Sequence, residues 1–320
     1  MANRDERRRL SFRGLLSAAA ALTVLFSCLT AVGLLYHGVE LFAHFRLQYF
    51  AASALLLPCF VYWRKFVHVA ALVAVAGLNA SFLVPWYLSG EHPSAAGAGG
   101  KVPLKIVHAN VHSSNTQYDR LVDFIDDEDP DFILLQEVNA DWVAGTAGLR
   151  VNYPYAYTEP RDGNFGIAAF SKSPLDSISH IDSPPLGYPT IIAKLTVHDE
   201  PLTIISTHPN IPVGRYSYTS RNEQLESITA LVNRTSGKVI LTGDFNASIW
   251  DSNFLRLQNE TQLKNVRQGF GVLPTWPTFM PFAMIPIDHM LVSREIDVLD
   301  AEVGRRIGSD HLPLVVTLSL

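Results

Sequence analysis

The stretch VILTGDFN, residues 239–246, places an apolar, β-branched run directly ahead of a Gly-Asp-Phe-Asn turn. A run of this kind, bounded by turn residues, is typical of a buried strand that ends in a loop. Asp244 and Asn246 then stand at the strand end, where a rigid scaffold presents functional side chains. Taken alone, the same four residues are equally well explained as an ordinary turn.

The pattern of short apolar strands recurs over residues 103–320, which predicts an α/β domain there. An amphipathic helix carries Leu121, Phe124 and Ile125 on one face, and a second helix is predicted over about Arg221 to Asn233. The predicted strands are Leu104–Val111, Phe132–Val138, Phe165–Ser171, Ile191–Val197, Leu202–Thr207, Val239–Thr242, His289–Val292 and Leu314–Leu318.

Polar side chains stand at the ends of several of these strands. Besides Asp244 and Asn246, they are Asn110, Gln136, Glu137, His208, Asp288, His289, Asp310 and His311. Carboxylate and amide oxygens suit Mg²⁺ or Mn²⁺, ions that commonly bind through one or two carboxylates and a substrate phosphate. A histidine with a carboxylate partner can act as a general base near neutral pH. The set predicts a site for a hard divalent cation, with Glu137 and Asp310 supplying carboxylates.

Most of these residues also have a structural explanation when taken singly. Asn110 could simply end a strand, and Asp310 could form an Asx turn or a cap. His108 and His112, at alternate positions around Asn110, are predicted to be structural. Taken together and in this order, the residues favour a functional site.

The order N…QE…TH…GDFN…IDH…GSDH resembles that of the endonuclease/exonuclease/phosphatase superfamily, which includes deoxyribonuclease I, abasic-site endonucleases, inositol polyphosphate 5-phosphatases and neutral sphingomyelinases. The resemblance covers about residues 103–320 and is most specific in GSDHLP and GDFN. It implies a four-layer sandwich of two β-sheets flanked by helices. The reaction that it implies is in-line attack of water on phosphorus, with a metal ion acting as Lewis acid.

The resemblance also implies roles for the matching residues. Glu137 would bind Mg²⁺ or Mn²⁺, with Asn110 and Asp310 nearby. In the segment GNFGIAAFSK, residues 163–172, Gly166 and Ser171 would be architectural.

A second group of residues would carry the catalytic chemistry. Asp244 and Asn246 would position the nucleophilic water and the phosphate, and His208 would contact the phosphate or assist the leaving group. His311, oriented by Asp288, would be the base or a phosphate ligand. Which of Asp244 and His311 takes the proton stays open.

The first ninety residues are unusually apolar and account for the high overall hydrophobic content of 48%. Three stretches there, about 15–36, 47–63 and 66–88, run almost without charge and approach the length needed to cross a bilayer. A cleavable signal peptide would explain only the first, and a buried soluble hairpin would show a polar face. The sequence therefore predicts a membrane anchor over 1–90 and a linker over 91–102, an architecture that looks like a bacterial subgroup of the superfamily.

The basic residues are distributed unequally around these stretches. They cluster ahead of the first stretch and, as Arg64 and Lys65, between the second and third, whereas the first loop offers only Arg46. The apolar stretches predict an integral membrane protein, and the resemblance to the bacterial subgroup implies the inner or plasma membrane. Because cytoplasmic loops carry the excess of Lys and Arg, the basic residues predict its orientation. The catalytic domain is predicted on the extracytoplasmic, periplasmic side.

Charge also bears on the substrate. Residues 1–100 carry 8 of the 25 Lys and Arg and 4 of the 30 Asp and Glu, so they are +4 and residues 101–320 are −9. Nucleic-acid binding usually requires a basic footprint, so this balance favours a lipid headgroup or small phosphate ester over DNA or RNA. A nuclease is the alternative and a non-catalytic membrane scaffold a more remote one. The bilayer is the other expected partner, and no obligate protein partner is expected.

Overall fold

The computed structural model describes residues 11–32, 37–88, 103–197 and 200–320. The chain divides into two compact units, Met1–Val84 and Pro85–Leu320. The predicted linker, residues 91–102, lies outside the described residues, as does the end of the first predicted span.

The first unit is built of apolar helices. Its described elements are α1 (Phe12–Val32), α2 (His37–Glu40), a 3-10 turn (Leu41–Phe45), α3 (Arg46–Tyr62) and α4 (Phe66–Leu83). Three stretches, Phe12–Thr30, Leu41–Tyr62 and Phe66–Trp86, are long and apolar enough to cross a membrane. The three predicted apolar helices are therefore confirmed, with shifted bounds.

A polar contact joins two of these helices. Asn79 of α4 donates from Nδ2 to Ser27 Oγ of α1 over 2.8 Å, and both side chains are fully buried. A polar group in an apolar setting is stabilised by such a partner. Ala20, Phe60 and Leu72 form the small buried core around which the helices pack.

The second unit contains, within its described residues, two six-stranded sheets. The strands are β1 (Pro103–Asn110), β2 (Phe132–Gln136), β3 (Tyr155–Glu159), β4 (Ile167–Ser171), β5 (Ser177–Ser183), β6 (Tyr188–Val197), β7 (Glu200–Thr207), β8 (Lys238–Asp244), β9 (Lys264–Asn265), β10 (Asp288–Val292), β11 (Asp297–Val303) and β12 (Leu314–Ser319). Sheet 1 has the order β11-β12-β1-β2-β4-β3 and sheet 2 the order β5-β6-β7-β8-β10-β9. In each sheet one central pair is parallel, β1 with β2 and β7 with β8, and the other pairs are antiparallel.

The helices of this unit flank the two sheets. They are α5 (Tyr118–Glu128), α6 (Ala140–Gly145), α7 (Arg215–Arg234) and α8 (Ser252–Thr261). Leu121, Phe124 and Ile125 of α5 are buried against sheet 1, as their spacing predicts. On sheet 2, Phe254 of α8 stacks on His289 of β10 with ring centroids 4.1 Å apart. The predicted sandwich of two sheets flanked by helices is thus confirmed.

The main core lies between the sheets. Strands of sheet 1 contribute residues such as Ile106 and Leu134, and strands of sheet 2 contribute residues such as Ile204, Ile240 and Met290, all fully buried. Because these strands are covered on both faces, they consist of continuous apolar runs rather than alternating ones. The sandwich therefore fixes the strand ends of both sheets relative to one another.

Gly166, just ahead of β4, has a specific packing reason to be glycine. A Cβ there would lie 1.8 Å from the carbonyl oxygen of Val138. We expect Gly166→Ala to lower the free energy of unfolding by about 1–3 kcal/mol, the usual cost of overpacking. The matched control is Gly148→Ala, where a Cβ meets no atom within 4 Å. Thermal denaturation of both variants measures the difference, and equal melting temperatures would contradict the packing argument.

Candidate active site

Sheet 1 supplies half of the predicted site residues. Asn110 ends β1, and Glu137 directly follows the neighbouring parallel strand β2. Asp310 and His311 precede β12, on the other side of β1. The turn that carries them is fastened to β1, because Ser309 Oγ donates to the carbonyl oxygen of Asn110 over 2.7 Å.

Sheet 2 supplies the remaining predicted residues. His208 directly follows β7 and Asp244 ends the parallel strand β8. Asp288 begins β10 and pairs directly opposite Asp244 in the antiparallel register. Asn246 lies two residues beyond Asp244 and donates its backbone N–H to Asp244 Oδ1 over 2.9 Å.

The carboxylate of Asp244 is the point at which the two groups meet. Its Oδ2 lies 3.2 Å from Asn110 Nδ2, 3.5 Å from His208 Nε2 and 3.7 Å from His311 Nε2. Asp244 is buried, so its charge acts in a medium that screens it weakly. An anionic oxygen surrounded by nitrogen atoms from both sheets is suited to accept a proton or to hold a water molecule.

Gln136 holds this strand end in place from the opposite sheet. Its Oε1 accepts the backbone N–H of Asp244 over 2.8 Å, and its Nε2 donates to the carbonyl oxygen of Thr207 over 2.7 Å. The side chain therefore provides a hydrogen-bond partner for one backbone group at the end of each of two neighbouring strands. Gln136 acts on the geometry of Asp244, not on the reacting atoms.

Asp288 is buried between two histidines. Its Oδ2 accepts from His311 Nδ1 over 2.8 Å, and its Oδ1 from His108 Nε2 over 3.1 Å. Burial alone would raise the pKa of Asp288, but the charge of His311 and the two hydrogen bonds hold it well below its ordinary value. The predicted pairing of Asp288 with His311 is present in this geometry.

The pKa of His311 is raised by its carboxylate neighbours. Burial would lower the pKa, but the charge of Asp288, followed by that of Asp244, raises it to about 10. The contribution of His311 to stability is therefore complete below its ordinary pKa of 6.5 and is lost as pH rises through about 10. The contribution of Asp288 is lost instead as pH falls below its ordinary value of 3.8.

We expect Asp288→Asn to lower the pKa of His311, because the Asp288 charge is the first of the groups that raise it. The measurement is an NMR titration of the chain labelled with ¹³C-histidine. Asp182→Asn is the matched control, since Asp182 pairs with His180, outside the site. An unchanged His311 titration in Asp288→Asn would contradict the pairing.

His208 faces the site with one ring nitrogen only. Its Nε2 lies beside Asp244, whereas its Nδ1 is buried and has no hydrogen-bond partner within the described residues. Burial would lower the pKa of His208, but the hydrogen bond and charge of Asp244 raise it. Phe165 lies against the His208 ring, at 5.4 Å between centroids, and stacks on Tyr188 at 3.5 Å.

The donor atoms needed for a hard cation are present around Glu137 and Asp310. Asp310 Oδ1 is buried and accepts no hydrogen bond from any described residue, whereas Oδ2 accepts from Trp276 Nε1 over 3.0 Å. Glu137 is buried and accepts from Asn110 Nδ2 over 3.0 Å. His112 Nδ1 lies between the two carboxylates, 3.3 Å from Asp310 Oδ1 and 3.6 Å from Glu137 Oε2. Two neighbouring carboxylates, one of them with a buried oxygen that accepts no hydrogen bond, fit a divalent metal.

Asn110 does not present its side-chain oxygen toward the carboxylates, as a metal ligand would. Its Nδ2 faces the carboxylates of Glu137 and Asp244, and its Oδ1 accepts the backbone N–H of His112 over 3.0 Å. The amide therefore orients the two carboxylates, and it would turn in order to present oxygen to a cation.

A second candidate cluster consists of Asp244, Asp288 and His311, whose potential ligand atoms lie within 4.8 Å of one another. Both oxygens of Asp288 are already used by histidines, however. We therefore favour Glu137 and Asp310 as the metal carboxylates.

Three residues of the site adopt left-handed backbone conformations. Glu137, Asn246 and His112 have φ values of +63°, +48° and +59°, which are uncommon for residues other than glycine. Such conformations cost on the order of 1–3 kcal/mol each and persist where the surrounding structure enforces them. All three residues lie just beyond strand ends, where the chain leaves a sheet and enters the site.

Sequence reasoning missed three residues that contact the site. His112, predicted to be structural, lies between the carboxylates of Glu137 and Asp310. His108, also predicted to be structural, proves to be the second partner of Asp288. Residues two apart in a strand share a face, so its spacing from Asn110 was a usable signal. Trp276, which holds Asp310, lies in a loop and gave no signal.

Two facing sheets bring carboxylates, amides and histidines together at their strand ends, a set of groups that can act on a phosphate ester. The model of the endonuclease/exonuclease/phosphatase family matches residues 107–311, nearly two thirds of the chain. The chain belongs to this family.

Three individual proteins that resemble this chain share 20–28% sequence identity with it. The UPF0294 protein VP2298 of Vibrio parahaemolyticus is 28% identical over 122 residues, which are 38% of this chain and 41% of that protein. The chain thus spans about two fifths of the length of this curated relative. A humanized TDP2 of D. rerio has a TM-score of 0.59 at 20% identity, over 68% of this chain and 99% of its own. The 3' phosphatase NExo from Neisseria, bound to a product DNA hairpin, has a TM-score of 0.55 at 21% identity, over 67% and 98%. These two likenesses show the fold.

Proposed function

We propose that the chain is a membrane-anchored, Mg²⁺- or Mn²⁺-dependent phosphodiesterase or phosphatase. The observation that carries this proposal is the convergence of Asn110, His208 and His311 on one oxygen of Asp244, next to the carboxylates of Glu137 and Asp310. A non-catalytic scaffold has no need of this full set of polar groups, most of them buried. Such groups are costly to bury and are retained where chemistry requires them.

The arrangement supports different catalytic roles for Asp244 and His311. The raised pKa of His311 favours an imidazolium at neutral pH, a form that donates to a phosphate oxygen and cannot take a proton. Asp244 is then the group that accepts the proton of the attacking water. Asn246, whose Nδ2 donates to the carbonyl oxygen of Pro209 over 3.0 Å, lies beside His208 and orients the phosphate with it.

Glu137 and Asp310 would hold the cation, with Asn110 orienting Glu137. When bound, the ion would supply Lewis acidity at the phosphate. His112 lies between the two carboxylates and would move aside or join them.

The function is tested with the full-length chain in detergent or nanodiscs, with Mg²⁺ or Mn²⁺ and a substrate panel. The panel comprises a phospholipid, a soluble phosphodiester, a phosphomonoester, duplex DNA and RNA. We expect hydrolysis of a non-nucleic phosphate ester that excess chelator abolishes. Exclusive cleavage of DNA or RNA would favour the second candidate, a nuclease. The 3' phosphatase bound to product DNA is a structural neighbour that acts on a nucleic acid. No hydrolysis of any substrate would overturn the proposal.

The predicted topology requires a separate measurement. We expect three spans to place the C-terminus outside the cytoplasm, since basic residues precede the first span and follow the second. An alkaline phosphatase fused after Leu320 should therefore be active, and a green fluorescent protein fused there should be dark if the chain is exported through the Sec pathway. The reverse result would place the catalytic domain in the cytoplasm.

A further inference from the structure

Two loops beside the site expose large apolar side chains to solvent. In the loop after β7, Ile211 and Val213 are exposed, the latter by 75%. In the loop ahead of β10, Phe279, Met280 and Phe282 are exposed, the two phenylalanines by 68% and 80%. We call these five residues the apolar rim.

Both loops begin at residues of the site. The first follows His208, and the carbonyl oxygen of Pro209 accepts from Asn246 Nδ2. The second follows Trp276, which holds the Asp310 carboxylate, and Thr278 donates its backbone N–H to the carbonyl oxygen of Asp310 over 2.8 Å. The rim therefore lies next to the polar site, on loops that are hydrogen-bonded to site residues Asn246 and Asp310.

Large apolar side chains that share one exposed loop, as Phe279, Met280 and Phe282 do, are costly in water and mark a surface that meets a partner. The low charge of the two loops argues against a nucleic acid as the partner. Residues 276–284 carry no charge, and residues 209–216 carry one, Arg215. A nucleic-acid surface requires several cations against its phosphates. These loops supply Arg215 alone, and Arg306 donates a hydrogen bond to the carbonyl oxygen of Thr278.

We propose that the apolar rim inserts into the surface of a lipid bilayer and that the substrate is the phosphate ester of a phospholipid in that bilayer. This inference rests on the proposed phosphoesterase function and specifies its substrate class. The same chain carries three helices of membrane-spanning length, which would keep the catalytic unit at a high effective concentration near lipid. Aromatic and aliphatic side chains on short loops are suited to the boundary between headgroups and acyl chains.

The reaction is the hydrolysis of one phosphate–oxygen ester bond. The oxygen of water bonds to phosphorus, the bond to the leaving oxygen breaks, and the water loses one proton to Asp244. The leaving oxygen takes up one proton, which balances the proton that the water lost, and departs as an alcohol, which is either the headgroup alcohol or the acylated glycerol. The rim holds the acyl chains in the bilayer while the headgroup phosphate reaches the polar site.

The first test compares bilayer and soluble substrates. The double variant Phe279→Ser/Phe282→Ser in nanodiscs should lose at least about tenfold of its turnover of a long-chain phospholipid, since burial of each aromatic ring is strongly favourable. Its turnover of a water-soluble phosphodiester should stay within about twofold, because exposed surface substitutions barely perturb the fold. Val151→Ser is the matched control, at a residue that is 84% exposed.

The second test is independent of activity. In a Cys28→Ser/Cys59→Ser background, an environment-sensitive fluorophore is attached at Phe282→Cys or, as control, at Val151→Cys. Doxyl-labelled phosphatidylcholine in the nanodisc should quench the probe at position 282 and not the probe at position 151.

The possible outcomes distinguish a failure of the lipid inference from a failure of the proposed phosphoesterase function. Hydrolysis of the soluble ester without rim-dependent lipid turnover, or an unquenched probe at 282, overturns the lipid inference and leaves the phosphoesterase standing. Equal losses on lipid and soluble ester overturn it too, because the rim then acts on the site rather than on the bilayer. Rim-dependent cleavage of DNA would assign the rim to nucleic acid and likewise overturn it.

Discussion

Glu137→Gln should reduce phosphoesterase turnover by roughly 10³-fold, because a metal ion contributes several kcal/mol of transition-state stabilisation and a neutral amide loses the charge that holds it. Both carboxylate oxygens of Glu137 accept from N–H groups, of Asn110 and of Ser113. The new amide N–H₂ would face one of these donors, so we also expect a loss of about 1–2 kcal/mol in the free energy of unfolding. Zinc-like behaviour is not expected of this oxygen-donor site.

Calorimetric titration with Mn²⁺ and thermal denaturation should accompany the rate measurement. Glu226→Gln removes a surface carboxylate that pairs with Arg256 and should change neither metal affinity nor rate. A Glu137→Gln variant that binds Mn²⁺ as tightly as the native chain, or full native activity in excess chelator, would refute the metal assignment.

His311→Ala should lower turnover by about 10²- to 10⁴-fold, the usual loss for a group that acts on protons or charge in the transition state. Asp288→Asn should lower it less completely, since the imidazole remains. Because Asp288 acts through the 2.8 Å hydrogen bond to His311, the double variant should be little slower than His311→Ala alone.

Rates and melting temperatures of the four proteins distinguish this pair from two independent residues. His180→Ala, which removes a histidine beside Glu159 and Asp182 at the surface, is the control. Multiplicative rate losses in the double variant would be evidence against the pair. Losses of activity that only follow falling melting temperatures would show that the two residues serve packing.

The central strands were predictable because the sandwich buries both of their faces. Phe132–Gln136 and Lys238–Asp244 consist largely of buried residues, so their apolar runs were visible without any partner strand. The strands that the sequence did not reveal lie at or near sheet edges. Tyr155–Glu159 and Asp297–Val303 expose much of one face, and their mixed polar sequence does not differ from that of a loop. Helix α7 begins at Arg215, six residues ahead of its predicted start. Its first turns were not recognised because residues 215–220 are mostly polar or exposed and show no apolar pattern.

The candidate site residues could be selected from the sequence as a set, whereas most of their contacts, apart from the Asp288–His311 pair, could not be predicted. Asp244 and Asp310 follow or precede strands with distinctive turn sequences, which located them. Trp276 reaches Asp310 from a loop more than thirty residues earlier, a tertiary contact that no local pattern encodes. The position of His112 between two carboxylates likewise depends on a left-handed backbone conformation that the sequence did not indicate.

The division of the site between two sheets has a consequence for the newly made chain. Asn110, Glu137 and His311 belong to sheet 1, whereas His208 and Asp244 belong to sheet 2. A chain in which only one sheet had formed would carry only half of these groups and would lack the site for the proposed reaction. The site is completed only when the sheets dock and close the shared core. In the proposed phosphoesterase, a newly made chain would therefore be unable to hydrolyse the phosphate esters around it until folding is complete.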